Sequence, residues 1–295
     1  MDLRPLNDLP LLEKAAGLAS EAGLRLYAVG GCARDWALGR PSEDIDFLLD
    51  GDPQPLVEGM EREYGGRHQK FGSFLTVRFF SSEGRRLDFA SFRSETYARP
   101  AALPSVTAAA SVEEDLKRRD FTCNAMAVRL DAPGSFGLTD PYKGLEAIES
   151  KTLRVLHEKS FEDDPTRIFR AARFCGRFGW SLEAKTGELA RSAVKSGFPG
   201  LLSRERLRNE LVKILAEADP LPALRELGAL GADSFIHPAF AYGPAVLKYR
   251  GSRERLAVIA ALMGLAGEEF LAGLKFSRRE TADLAAIAQE IKAEL

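Results

Sequence analysis

Histidine is scarce in this chain: three in 295 residues, at positions 68, 157 and 237. So few, and so scattered, they argue against a histidine-built zinc centre and against a histidine-driven hydrolase. Cysteine is equally sparse. Cys32, Cys123 and Cys175 are an odd set without metal-ligand spacing, the pattern of a reducing compartment and not of a disulfide scaffold. No long apolar run and no secretory leader can be found, so a cytoplasmic protein with no membrane partner is expected. Nor does one sign of charge dominate, since 41 Lys and Arg face 43 Asp and Glu for a net charge of −2. A chain-wide basic field is thereby excluded, and any RNA site must be a local cluster of Lys and Arg. Tandem repeats and low-complexity tracts are lacking, and nothing implies an obligate protein partner. The length suits two domains or one long modular one.

What is present concentrates at 27–49, YAVGGCARDWALGRPSEDIDFLL. Tyr27, Ala28 and Val29 read as the end of a buried strand, cut off by Gly30 and Gly31. A short helix over 32–38 follows, closed by Gly39 and Pro41. The second strand is expected over 45–49. Residues two apart on a strand share a face, so Asp44 and Asp46 project together. Beside them is a glycine turn whose amides are suited to phosphate oxygens. A bare D-x-D reads as two solvent-facing aspartates at a strand start. The glycine turn, Arg34 and Asp35 upstream shift the reading to Mg²⁺-assisted phosphoryl chemistry, with Asp44 and Asp46 as metal ligands.

Along the rest of the chain, helical spacing of Leu11, Leu12, Ala15, Leu18 and Ala22 predicts a covering helix within 1–25. Another helix is expected over 54–64, then a hairpin of strands 74–80 and 85–90. Asp88, on the second of these, has two readings. It is a third carboxylate and general base if its strand neighbours 45–49, or an edge-strand aspartate otherwise. The stretch 94–111 lacks a regular pattern and reads as a long functional loop. In EEDLKRRDFTCNAMAVRL (113–130) a charged turn leads into an apolar segment. FEDDPTRIFRAARFCGRF (161–178) is a helix with Asp164 as N-cap and Pro165 at its first position. Its buried stripe is Ile168, Ala171, Ala172, Cys175 and Phe178, and Arg167, Arg170 and Arg173 occupy the adjoining face. Helices are expected at 182–196 and 205–218, and three or four more lie beyond 219. Arg250, Arg253, Arg255, Lys275, Arg278 and Arg279 read as solvated charges or as contacts to an RNA backbone.

GGCARDWALGRPSEDIDFLL, RRDFTCNAMA, DPYKGL and DDPTRIFRAARF, in this order, resemble the signatures of the class II tRNA nucleotidyltransferase and bacterial poly(A) polymerase family. The resemblance implies an α+β fold: a nucleotidyltransferase head with a small mixed sheet (1–145), a helical neck carrying a nucleobase-recognition helix (146–230), and a short helical body (231–295). It implies that Asp44 and Asp46 bind Mg²⁺, with Asp88 as a further catalytic carboxylate. Gly30, Gly31 and Arg34 would hold the triphosphate, and Arg119 and Asp120 the ribose. Asp164 and Arg167 would hydrogen-bond the base edge, while Arg170 and Arg173 contact triphosphate and base. The implied activity is template-independent addition of CMP and/or AMP from CTP and ATP to the 3′ end of tRNA. A poly(A) polymerase, a partial CC- or A-adding enzyme and a catalytically silent RNA-binding module are the alternatives.

Overall fold

Strand alternation organises the N-terminal half. The computed structural model describes residues 2–6, 9–42, 44–71, 76–84, 86–130 and 136–294. Two compact units emerge from contact density. The first comprises Met1–Ala98, Pro104–Ser150 and Arg154–Leu156, the second Arg99–Leu103, Lys151–Leu153 and His157–Leu295.

In chain order the first unit contains α1 (Leu9–Glu21), β1 (Leu26–Val29), α2 (Gly31–Ala37), β2 (Ile45–Leu49), α3 (Gln54–Tyr64), β3 (Arg67–Phe71), β4 (Thr76–Phe80) and β5 (Arg86–Ser91). It continues through β6 (Arg93–Thr96), β7 (Ser105–Ala108), α4 (Val112–Lys117), β8 (Ala127–Arg129), β9 (Leu138–Thr139) and α5 (Gly144–Glu149). Seven strands form one mixed sheet in the order β3-β4-β5-β2-β1-β8-β9. Its one parallel pair, β2 with β5, lies at the centre. Phe47, Val77, Phe79, Leu87 and Phe89 are buried on one face, where Phe47 and Phe89 stack at 4.7 Å. Intervening residues point to the opposite face.

Three expectations need adjusting here. The stretch 94–111 is no irregular loop: β6 and β7 pair antiparallel, Arg93 opposite Ala108 and Thr96 opposite Ser105. The buried stripe of α1 is Leu11, Leu12, Ala15, Ala16 and Ala19, because the helix ends at Glu21 before Ala22 can join it. Edge strand β3 (RHQKF) escaped sequence reading, being largely polar and held by its ladder to β4. Residues 74, 75 and 85 of the expected hairpin lie outside the described residues; its remainder is β4 and β5, paired antiparallel.

The second unit begins with β10 (Thr152–Leu153) and α6 (Ser160–Asp163), followed by α7 (Thr166–Phe178), β11 (Ser181–Leu182), α8 (Ala184–Lys195), α9 (Arg204–Leu215) and α10 (Leu221–Leu230). Helices α11 (Ser252–Leu262), α12 (Gly267–Gly273) and α13 (Arg278–Glu294) complete it. The expected stripe of α7 is buried apart from Phe178, which is half-buried. Helix α7 lies hard against α10 because position 176 lacks a side chain. A Cβ on Gly176 would sit 2.7 Å from the Ala223 nitrogen and 2.9 Å from its Cβ. Gly176→Ala should therefore force the helices apart and cost about 1–3 kcal/mol, read as a lower Tm in a thermal melt. Among the described residues no helix is long and apolar enough to cross a membrane.

Candidate active site

The strand–turn–helix–strand run from β1 to β2 forms as the sequence requires, with Val29 in register with Asp46. The chain turns at Gly30 with φ +73°, a backbone that side chains disfavour. A Cβ there would also meet Arg119 Nη1 at 2.6 Å. The turn's amides are not all available to a ligand, since the Gly30 N–H donates to the Met126 carbonyl at 3.2 Å. Gly31 opens α2.

Asp46 and Asp88 are direct register partners across the parallel β2–β5 pair. Asp88 therefore neighbours strand 45–49, the condition on which its catalytic reading depended. Asp44 precedes β2, its carbonyl accepting from Ser42 Oγ at 2.8 Å. Asp44 and Asp46 are both accessible to water. Asp46 nonetheless sits low among neighbouring atoms, and this crowding raises its carboxyl above the usual range. The Arg119 charge opposes that rise, while Asp88 and Asp44 add to it. Asp88 is gripped by Arg78 from β4 in a two-pronged pair, Nε–Oδ1 2.6 Å and Nη2–Oδ2 3.0 Å. Arg86 approaches it at 3.6 Å.

A buried polar chain backs this patch. Arg34, 5% exposed, donates through Nη1 to Asn124 Oδ1 at 2.7 Å and through Nε and Nη2 to Asp35. Asn124 donates in turn to Asp120 Oδ1 at 2.9 Å, which also accepts the Phe121 N–H. Arg119 reaches fully buried Asp115 at 3.4 Å, leaving its Nε buried without a partner. Gly30, Gly31, Arg34, Asp44, Asp46, Asp88, Arg119 and Asp120 thus gather in one region of the first unit. Sequence reading missed Asn124, which lies inside the RRDFTCNAMA signature, and Arg78, which carries no local signal.

In the second unit α7 starts one residue later than its sequence suggests, with Pro165 as N-cap, and Asp164 just before it braces the first turn: Oδ1 accepts from the Thr166 N–H at 3.0 Å and the Thr166 hydroxyl at 2.6 Å. It also accepts from Arg206 at 2.7 Å. Arg167 is buried and donates to Ser160 Oγ at 2.7 Å. Arg170, Arg173 and Arg177 surround the Phe174 ring, their guanidinium carbons 4.6–5.9 Å from its centroid. Arg173 and Arg177 share Glu217. Burial, then the charges of Arg170 and Arg177, lowers the pKa of Arg173 from the usual arginine value. Ser160, Arg206 and Glu217 are further polar partners that sequence reading did not place at a site.

Cys32, Cys123 and Cys175 are free and buried, and burial pushes each thiol up to about 12. Burial thus disfavours the thiolate that a cysteine nucleophile needs at all three positions. Among the described residues no group of three or more His, Cys, Asp or Glu forms a cage able to hold a metal. The donor set instead fits Mg²⁺, which takes one or two carboxylates and completes its shell with water and substrate phosphates. Opposed Asp46 and Asp88, with Asp44 alongside, repel one another, and a divalent cation would relieve that repulsion.

The mixed sheet with carboxylates on adjacent strands beside a glycine turn is the arrangement expected of a nucleotidyltransferase head, and comparison with known proteins shows that head domain. The family model described as "Poly A polymerase head domain" matches residues 26–154. The A-adding tRNA nucleotidyltransferase of Geobacter sulfurreducens is 40% identical over 244 residues, covering 83% of this chain and 28% of that protein. That of Halalkalibacterium halodurans is 37% identical over 225 residues, 75% of this chain and 52% of that protein. A solved structure of the Thermotoga maritima CCA-adding enzyme complexed with tRNA_CCA superposes with TM-score 0.72 at 28% identity, covering 99% of this chain and 72% of that one. The chain belongs to the class II tRNA nucleotidyltransferase family. It spans about half or less of the length of these two curated relatives. Nucleotidyltransferases of this family are typically metal-dependent.

Proposed function

We propose that this chain carries the catalytic part of a tRNA nucleotidyltransferase that transfers AMP from ATP to the tRNA 3′ end, releasing pyrophosphate. The observation that carries the reading is the register pairing of Asp46 with Asp88, with Asp44 two residues before Asp46. The A-adding relatives favour AMP over CMP; the likeness to a CCA-adding structure keeps CTP as a second substrate to test. Three reduced, buried thiols suit the cytoplasm.

Asp44 and Asp46 would hold Mg²⁺, which when bound offsets the charge of a triphosphate and lowers the pKa of a coordinated hydroxyl. Asp88 takes the proton from the attacking ribose hydroxyl, its carboxylate oriented by the Arg78 fork. Gly30, Gly31 and Arg34 bind the triphosphate, with Asn124 steering the Arg34 guanidinium. Arg119 and Asp120 receive the ribose. Asp164 and Arg167 present an acceptor and a donor fork to the base edge, and Arg170 and Arg173 add positive charge for phosphate and base.

Incubating tRNAs that end at N73, C74 and C75 with each NTP in turn tests the activity. Incorporation of AMP on the C75-ended substrate alone identifies A addition, and CMP incorporation on shorter ends identifies CCA synthesis. A homopolymeric tail on generic RNA, or no pyrophosphate release with any nucleotide, overturns the reading. Arg167→Ala should narrow the preference between ATP and the other nucleotides by about tenfold or more, measured as the ratio of kcat/KM values. An unchanged ratio would remove Arg167 from base recognition.

A further inference from the structure

The sheet face that bears Asp46 and Asp88 continues outward beyond them. Strand alternation and register put Arg86 and Asp88 of β5, Thr76, Arg78 and Phe80 of β4, and Arg67, Gln69 and Phe71 of β3 on that same face. Two cross-strand rows result. Asp46, Asp88, Arg78 and Gln69 form one, and Arg86, Phe80 and Arg67 the next. The Arg67 guanidinium lies over the Phe80 ring at 5.8 Å, and that of Arg78 over Phe71 at 5.2 Å. Arg67, Gln69 and Arg86 are exposed, and both rings are half-buried. On this face Arg78 is paired with Asp88 and Arg86 approaches it, so in a chain of net charge −2 the positive charge not set against these carboxylates lies outermost, at Arg67, beside two aromatic rings.

On the other side of Asp46 the same face is closed. Val29, in register with Asp46, packs with Tyr27, Leu48, Val112, Leu116, Ala125 and Ala127 in a buried cluster roofed by α4. Within this unit, a polymer that brings its end to Asp88 therefore has its open path over β5, β4 and β3, roughly 10 Å from Asp88 to the edge strand at the usual strand spacing. Arginines on an edge strand also discourage sheet-to-sheet association. That role does not call for two guanidinium planes propped on rings in line with the carboxylates.

We propose that the open face of β3, β4 and β5 is a stacking platform for the single-stranded 3′ end of the acceptor RNA. Arg67 and Arg86 meet its phosphates, and bases stack on the ring-backed guanidinium planes of Arg67 and Arg78. Charge complementarity and continuity with the carboxylates select this occupant, and the inference rests on the reading of the chain as an RNA nucleotidyltransferase.

The test uses the full chain and a short fluorescein-labelled single-stranded RNA ending in CC, titrated by fluorescence anisotropy over a range of salt. Arg67→Ala should weaken binding about tenfold and reduce the slope of log K against log salt by about 0.7, the value for one phosphate contact on a single strand. The KM for tRNA should rise similarly, with the KM for ATP moving less than twofold. Lys70→Ala removes the same charge from the opposite face of the same strand and should leave RNA binding within twofold. An unchanged affinity for Arg67→Ala, or an equal loss for Lys70→Ala, overturns the platform. RNA binding lost as expected without AMP incorporation by the unmodified chain would overturn the proposed reaction and leave the surface standing. Incorporation with an unaltered KM for tRNA in Arg67→Ala would do the reverse.

Discussion

Asp46→Asn should abolish nucleotide incorporation, by about a thousandfold or more, and leave the fold intact. The loss follows from position. Asp46 is the strand carboxylate flanked by both others, Asp88 across the ladder and Asp44 two residues before it, and it is proposed to share the metal with Asp44 while standing beside the base Asp88. Stability should move the other way. Crowding and the two neighbouring carboxylates already work against the charged form of Asp46, so a neutral, isosteric side chain removes repulsion and breaks no hydrogen bond described for it. Single-turnover incorporation and a thermal melt of the same preparation check both halves. Retained turnover would refute the metal assignment; a collapsed melt would show that the pair is structural.

Arg255→Met should be the most damaging change away from the site, costing on the order of 3–5 kcal/mol. As part of a basic C-terminal stretch, Arg255 reads from sequence as a solvated charge or an RNA contact. It is neither. Only 3% exposed, it donates to the carbonyls of Leu215, Glu217 and Ala218 at the end of α9 and to those of Val246 and Tyr249. One guanidinium thus serves five backbone carbonyls, and a methionine would take that partner from all of them, leaving the Val246 carbonyl with the Tyr249 N–H. The damage should extend to α7, because Glu217, at the same helix end, pairs with both Arg173 and Arg177. A urea titration should show the midpoint falling well below that of the unmodified chain. In the preparation that remains folded, KM for nucleotide should rise because Arg173 loses its anchor. An unchanged urea midpoint would mean that water satisfies these carbonyls.

Parts of the chain with local signals were legible. Gly30 and Gly31 between two apolar runs specify the β1–α2–β2 turn, because glycine alone relaxes the backbone needed there. Strand 45–49 and helix 54–64 form with the bounds read from their patterns. The Asp164–Pro165 pair starts α7, whose first helical residue is Thr166. Where local pattern was silent, reading stopped. RHQKF has no apolar alternation, and it is a strand because β4 supplies its hydrogen bonds. The stretch 94–111 looked irregular because its ladder partners are up to fifteen residues apart and mostly polar.

By itself, then, the order of residues determined which segments become helices and central strands, where the glycine bend falls, and that Asp44 and Asp46 stand two apart at the start of β2, the first just before it. Tertiary structure alone decided that Asp88 lies beside Asp46, that Arg78 grips it, that Arg34 and Asp120 meet through Asn124, and that Arg255 is buried. The reason is range. Periodicity and capping act over a few residues, whereas a register across strands, or a guanidinium closing on carbonyls some forty positions away, exists only once the chain has packed.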